Sequence, residues 1–292
     1  YPNANARSLA IKKTGTIGII IPTTSEDYFS NPFFSESIRG IIKGASNSGY
    51  DLLVSTNTEK GEELKIIKKF IKGSKVDGVI LMTSKVNDEC IEYLKAIDFP
   101  FSLIGSTYNR DERINQVDND NFLAAYELTK HIIGIGRKQV AMIAGDTDLI
   151  VSKKRIEGYK KALTESNMDF DEKLLFSGSF DEKTGYEYAR QISKIEPLPD
   201  GLIVADDLVA FGAIKAFENS GINIPEDIAI ASFNNSVLAK HSNIPLTSVD
   251  INAIELGRQA MNLLVEAIED EVRGKKISIP YIIYERESTN GK

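Results

Sequence analysis

Beginning at Thr16, short β-branched apolar runs alternate with longer stretches whose apolar residues recur at helical spacing, eight times over. The runs are TIGIII (16–21), DLLVS (51–55), DGVILM (77–82), FSLIG (101–105), QVAMIAG (139–145), KLLFS (173–177), GLIVA (201–205) and DIAIASF (227–233). The intervening helical stretches lie near 32–48, 60–72, 87–97, 119–133, 151–167, 182–194, 207–220 and 252–272. Near-continuous apolar strands separated by helices predict parallel sheets covered on both faces, an α/β fold of the doubly wound kind. Gly49, Gly73, Gly134, Gly136 and Gly221 fall where helices should stop. No G-x-G-x-x-G or G-x-x-x-x-G-K-[ST] string is present, so the phosphate-cradling loops of nucleotide enzymes are missing.

The stretch from Asn119 to Gly136 leads from one strand set into a second with the same grammar, which favours two similar lobes over one large sheet. With 292 residues and 42% hydrophobic side chains, the chain can fill either. Because ligands of open α/β sheets sit beyond the carboxyl ends of the strands, two facing lobes place a ligand in the cleft between them. The net charge of −7 argues against a nucleic-acid surface spread over the whole molecule. Two histidines, one cysteine and no tryptophan leave too few soft ligands for a zinc cluster, so no metal and no cofactor is expected. Cys90 reads as a structural thiol. The opening YPNANARSLAIKKTG has no apolar signal region and no membrane-length apolar run follows, so a cytoplasmic protein is expected.

An ordered set of strings then carries a resemblance over essentially the whole chain: PNANARSLA (2–10), NPFFSESIRGI (31–41), VDGVIL (76–81), VDNDNFLAAYELTKHIIGIGRKQVAMIAGD (117–146), SKKRIEGYKKAL (152–163), DGLIVADDLVAFGAIKAFENSGINIPEDIAIASFNN (200–235), PLTSVDINAIELGRQAMNLL (245–264) and ERES (285–288). In this order they resemble the lactose/galactose-repressor family of transcriptional regulators, and the FNNS and SVDIN runs look most like its maltose-regulator branch. The resemblance implies a periplasmic-binding-protein-like (type I) fold of two doubly wound parallel-sheet lobes. It implies the effector-sensing core of a repressor that works as a homodimer, binds a small sugar such as maltose or a maltodextrin, and alters binding to operator DNA through an N-terminal helix-turn-helix head not included in the chain. The expected division is a hinge segment at 1–14, an N-terminal lobe at 15–132 plus 252–275, and a C-terminal lobe at 133–249 plus 276–292.

Site residues carry over position by position. In the family, paired hinge helices of a dimer insert a leucine into the DNA minor groove; here that residue is Leu9, with Asn3, Ala6 and Arg7 beside it. Sugar recognition needs carboxylates, amides, an arginine fork and aromatic faces. The resemblance gives these roles to Asp120, expected from the N-terminal lobe; to Arg155 in S-x-x-R-x-x-G; to Asp206, where asparagine is common; and to Asn234, where many relatives carry aspartate. Asp120 equally suits a helix N-cap, and Asp207 a cap of the helix after it. Phe180, Tyr28, Phe29 and Phe33 are candidate stacking faces, each also a plausible core residue. Alanine at Arg155 or Asp120 is expected to weaken effector binding by about 1.5 to 3 kcal/mol with the fold intact. The rival readings are a sugar-binding protein of a transport system, marked by an export signal upstream, and a hydrolase using paired acids, for which no G-x-S-x-G elbow is present; the chain reads as a non-enzyme.

Overall fold

A computed structural model describes residues 13–24, 31–57, 61–108 and 113–290. The chain divides into two compact units, the first running to Asp118 and rejoined by Ala253–Ser278, the second made of Asn119–Asn252 and Ile279 onward.

The first unit is built on a six-stranded parallel sheet containing β1 (Thr16–Thr24), β2 (Asp51–Asn57), β3 (Gly78–Leu81), β4 (Phe101–Ile104), β5 (Asn115–Asp118) and β11 (Lys276–Ser278), in the order β11-β5-β4-β3-β1-β2. In β1, Ile17, Ile19, Ile20 and Ile21 are all buried, which requires cover on both faces. On one face α1 (Pro32–Ser48) packs against α9 (Ala253–Glu269). Asn31 caps α1 by accepting from the Phe33 amide at 2.9 Å, Pro32 starts it, and Gly49 closes it with φ +71°. On the other face α2 (Glu63–Lys72) and α3 (Glu89–Ala96) cover Ile20, Val79, Leu81 and Leu103 with Ile67, Phe70, Ile91 and Leu94. Cys90, on α3, is half-buried; burial and the nearby Asp88 and Glu63 carboxylates push its thiol up to about 12, which fits the expected structural role.

Glycine sets the helix spacing. A Cβ on Gly40 of α1 would lie 1.9 Å from the Ile254 carbonyl oxygen, and one on Gly257 of α9 would lie 1.9 Å from that of Ser37. Only glycine lets the two backbones approach this closely. Asn115 staples the returning segment to the sheet: its Nδ2 donates to the carbonyls of Leu263 (3.3 Å) and Val272 (2.9 Å), and its Oδ1 accepts from the Lys275 amide (2.9 Å). Asn115→Ala is therefore expected to destabilise the first unit by about 1 to 3 kcal/mol, read as a fall in the urea midpoint.

The second unit repeats the plan with β6 (Val140–Ala144), β7 (Leu175–Ser177), β8 (Gly201–Val204), β9 (Ala229–Phe233), β10 (Thr247–Asp250) and β12 (Ile282–Tyr284), ordered β12-β10-β9-β8-β6-β7. All neighbours are parallel except β12, which runs antiparallel to β10 at the edge. Helices α4 (Asn121–Gly134) and α5 (Ile150–Glu165) pack together, as do α6 (Glu182–Ile192) and α7 (Asp207–Asn219), and a short helix α8 (Val237–His241) follows β9. The core joins Ile143, Leu202, Val204 and Ile230 to Val209, Ala213 and Phe217.

Four strands among the described residues, β5, β10, β11 and β12, were not among the eight expected runs. The unit boundary also differs from the expectation. The helix expected in the first lobe, α4, lies in the second unit because it packs on α5, and β11 lies in the first because it pairs with β5. The chain passes between the units at Asp118/Asn119, Asn252/Ala253 and Ser278/Ile279. Asn119 gathers the second unit's ends of these crossings, its Nδ2 donating to the carbonyls of Ile251 (3.0 Å) and Ile279 (2.8 Å).

Candidate functional site

Parallel strands end together, so the carboxyl edge of the second sheet collects the residues just after β6, β7, β8, β9 and β10. Arg155 of α5 reaches this edge. It is only 4% exposed; its guanidinium lies 3.9 Å from the Phe233 ring centroid, Nε donates to Asn121 Oδ1 at 2.9 Å and Nη1 to the Ala205 carbonyl at 2.8 Å. A solvated helix arginine is thereby excluded. The side chain is a buried cation that joins α4, α5, β8 and β9, where a desolvated contact with a ring face is strongest.

Beyond β8, Asp206 is 2% exposed and caps α7, accepting from the Leu208 amide at 2.7 Å through Oδ1. Its Oδ2 accepts from Asn234 Nδ2 at 2.6 Å, so the two carried-over polar positions are hydrogen-bonded to each other. Asn234 is half-buried and held in the left-handed region with φ +96°, its amide donating to the Val249 carbonyl at 2.8 Å. The cap expected of Asp207 belongs to Asp206 instead. Asp207, 1% exposed, turns inward and accepts from Ser232 Oγ (2.6 Å), Ser248 Oγ (2.8 Å) and the Ser236 amide (2.6 Å). Burial pushes its carboxyl above the ordinary carboxylate range while these donors pull it back.

Asp120 stands in the second unit, not in the N-terminal lobe, since the boundary falls two residues before it. It is exposed and caps α4, its Oδ1 accepting from the Leu123 amide at 2.9 Å. Phe180 lies across Gly145, where a Cβ would come within 2.1 Å of the ring. Phe33 belongs to the first unit, half-buried in the first turn of α1 and edge-on to Phe34 at 5.3 Å. Tyr28 and Phe29, like Asn3, Ala6, Arg7 and Leu9, fall outside the described residues. Asn121 and Phe233, which hold Arg155, were missed. Each is hidden in a run that reads as ordinary helix or strand, and only their convergence on one guanidinium marks them. No group of three His, Cys, Asp or Glu suited to a metal occurs among the described residues, and none of their helices is long and apolar enough to cross a membrane.

Two α/β units, the second with polar groups gathered at the carboxyl edge of its sheet, define the class of small-molecule-binding α/β proteins. The model of the periplasmic binding protein-like domain matches residues 129–289. The chain is 31% identical over 285 residues to the HTH-type transcriptional regulator MalR of Streptococcus pneumoniae, covering 97% of this chain and 84% of that protein. Among solved structures it is similar to a LacI transcriptional regulator from Bacillus cereus subsp. cytotoxis NVH 391-98, with a TM-score of 0.91 and 35% identity over 95% of this chain and 99% of that one. It is also similar to the transcriptional regulator CelR in complex with cellobiose, with a TM-score of 0.89 and 26% identity over 97% and 89%. The chain belongs to the LacI family of transcriptional regulators.

Proposed function

We propose that the chain is the effector-sensing core of a repressor and that the carboxyl edge of its second sheet holds a small sugar, maltose or a short maltodextrin. The observation that carries the reading is the cluster itself: a buried guanidinium stacked on Phe233 beside Asn121, Asp206 and Asn234. Such a set offers hydroxyls both donors and acceptors in a shielded place. Similarity to MalR, and to a regulator solved with cellobiose, supports a sugar of this size. Asp120, Arg155, Asp206 and Asn234 are the proposed polar contacts, with Phe180 as a stacking face; Phe33, Tyr28 and Phe29 are kept as stacking candidates on the family pattern alone. Effector binding shifts the balance between two conformations and so changes operator affinity in a homodimer, with Asn3, Ala6, Arg7 and Leu9 at the DNA. The protein acts in the cytoplasm and turns over no substrate.

A melting-temperature screen against maltose, maltotriose, cellobiose, galactose and ribose tests the reading, because a ligand that binds only the folded state raises its stability. Maltose or maltotriose is expected to give the largest rise, and a flat panel would remove the sugar assignment. Asp120→Ala is expected to act twice. Loss of the cap should lower stability by about 0.5 to 2 kcal/mol, and loss of the contact should weaken sugar binding by about 1.5 to 3 kcal/mol. Calorimetry well below the melting temperature separates the second effect from the first.

A further inference from the structure

The ERES string at Glu285–Ser288 has no part in the reading above, yet it reaches the turn that carries Asn234. We propose that Arg286 and Asp207 are positioning residues that grip the Asn234–Ser236 turn at Asn235 and Ser236, so that the C-terminal segment sets effector affinity through Asn235. The inference rests on the assignment of Asn234 to the effector site.

The turn cannot hold its shape unaided. Asn234 and Asn235 take φ values of +96° and +47°, so two successive non-glycine residues occupy the left-handed region. That conformation persists where surrounding bonds over-determine it. Each residue of the turn has its own charged holder. Asn234 is held by Asp206 and the Ser236 amide by Asp207. Asn235 is held by Arg286, whose Nη2 donates to Asn235 Oδ1 at 2.6 Å while Nη1 donates to the Leu246 carbonyl. Two further groups of Asn235 are engaged, Nδ2 donating to Asp250 Oδ2 at 3.0 Å and the backbone amide to Ser248 Oγ at 2.9 Å, and Ser248 Oγ in turn donates to Asp207.

Arg286 is itself anchored. Its amide donates to Thr247 Oγ1 at 2.8 Å, and Ser288 Oγ donates to the Ile230 carbonyl at 2.6 Å while accepting from the Thr247 amide at 2.8 Å. Thr289 Oγ1 meets Thr247 Oγ1 at 2.6 Å and His131 Nε2 at 3.1 Å. The tail is thus fastened to β9, β10 and α4, and the guanidinium fork extends from a fixed base. A lysine at 286 keeps the charge but cannot serve two separated acceptors with a planar fork.

The test is Arg286→Lys in the full chain, with amide hydrogen exchange at Asn235 and Ser236 and calorimetric titration of maltose, cellobiose and ribose. Exchange of the two turn amides is expected to rise about ten-fold or more with β8 unchanged, and affinity for whichever sugar binds wild type to fall about ten-fold. A merely structural role would lower the melting temperature and raise exchange throughout the unit with affinity unchanged, and that result overturns the proposal. So does an undisturbed turn, or a loosened turn with wild-type affinity. Asn235→Ala, which removes the other end of the same bond, carries the same expectations should Arg286→Lys fail to fold. Wild-type protein that binds none of the three sugars would count against the sugar assignment alone, leaving exchange at Asn235 and Ser236 to decide whether Arg286 positions the turn.

Discussion

Arg155→Ala is expected to weaken sugar binding by about 1.5 to 3 kcal/mol and to destabilise the second unit by about 3 to 5 kcal/mol, the range for removing one partner of a buried charged network. The sequence expectation of an intact fold is revised by the burial of this side chain. Alanine would strip the π contact from Phe233, leave Asn121 Oδ1 and the Ala205 carbonyl without their donor, and open a void where four elements meet. Arg155→Lys separates the contributions. It keeps a cation near the ring but loses the fork, so it should retain more stability than alanine while still losing about ten-fold or more in affinity. Urea unfolding monitored by circular dichroism, with calorimetry on the folded variants, reads both quantities. Equal stability of wild type and Arg155→Ala would show that the guanidinium cements nothing.

Gly257→Ala is expected to cost about 2 to 4 kcal/mol, at the upper end for overpacking, in a position with no role in ligand contact. The added Cβ would meet the Ser37 carbonyl oxygen at 1.9 Å and the Ile41 amide nitrogen at 3.2 Å. These are backbone atoms of a neighbouring helix and cannot swing aside. The same clash recurs in the second unit, where a Cβ on Gly212 would lie 1.9 Å from the Glu182 carbonyl oxygen. Gly49→Ala is the control. That glycine has φ +71° but open space around its Cβ position, so its substitution should cost only about 1 kcal/mol from the left-handed backbone. A melting comparison in which Gly49→Ala is the more damaging would contradict the packing account.

What was legible in the amino-acid order was the part with strong local grammar. β1, β3, β6, β8 and β9 are rich in apolar residues buried on both faces, and such runs stand out. β5 reads NQVD and β10 reads TSVD, too short and too polar to register, because their polar side chains bond to distant segments: Asn115 to Leu263 and Val272, Ser248 to Asp207. The same limit applies to the site. Arg155, Asp206 and Asn234 could be placed through a family pattern, whereas Asn121, which bonds Arg155, and Asp207 and Arg286, which bond Ser236 and Asn235 of the turn, lie 34, 29 and 51 residues from the groups they hold. Asp207 shows the difficulty most plainly. Next to Asp206 in an acidic pair, either residue suits a helix cap, and only the three-dimensional arrangement of Ser232, Ser236 and Ser248 shows which turns inward.

Hydrogen exchange of the wild-type chain, with and without the sugar that raises its melting temperature most, probes the sensing claim where it is most exposed. Slowed exchange is expected at residues 120–123, 205–208 and 234–236, with the far ends of β6, β8 and β9 unchanged. Protection confined to other segments, with those three left at their free rates, would contradict the placement of the effector at the carboxyl edge of the second sheet.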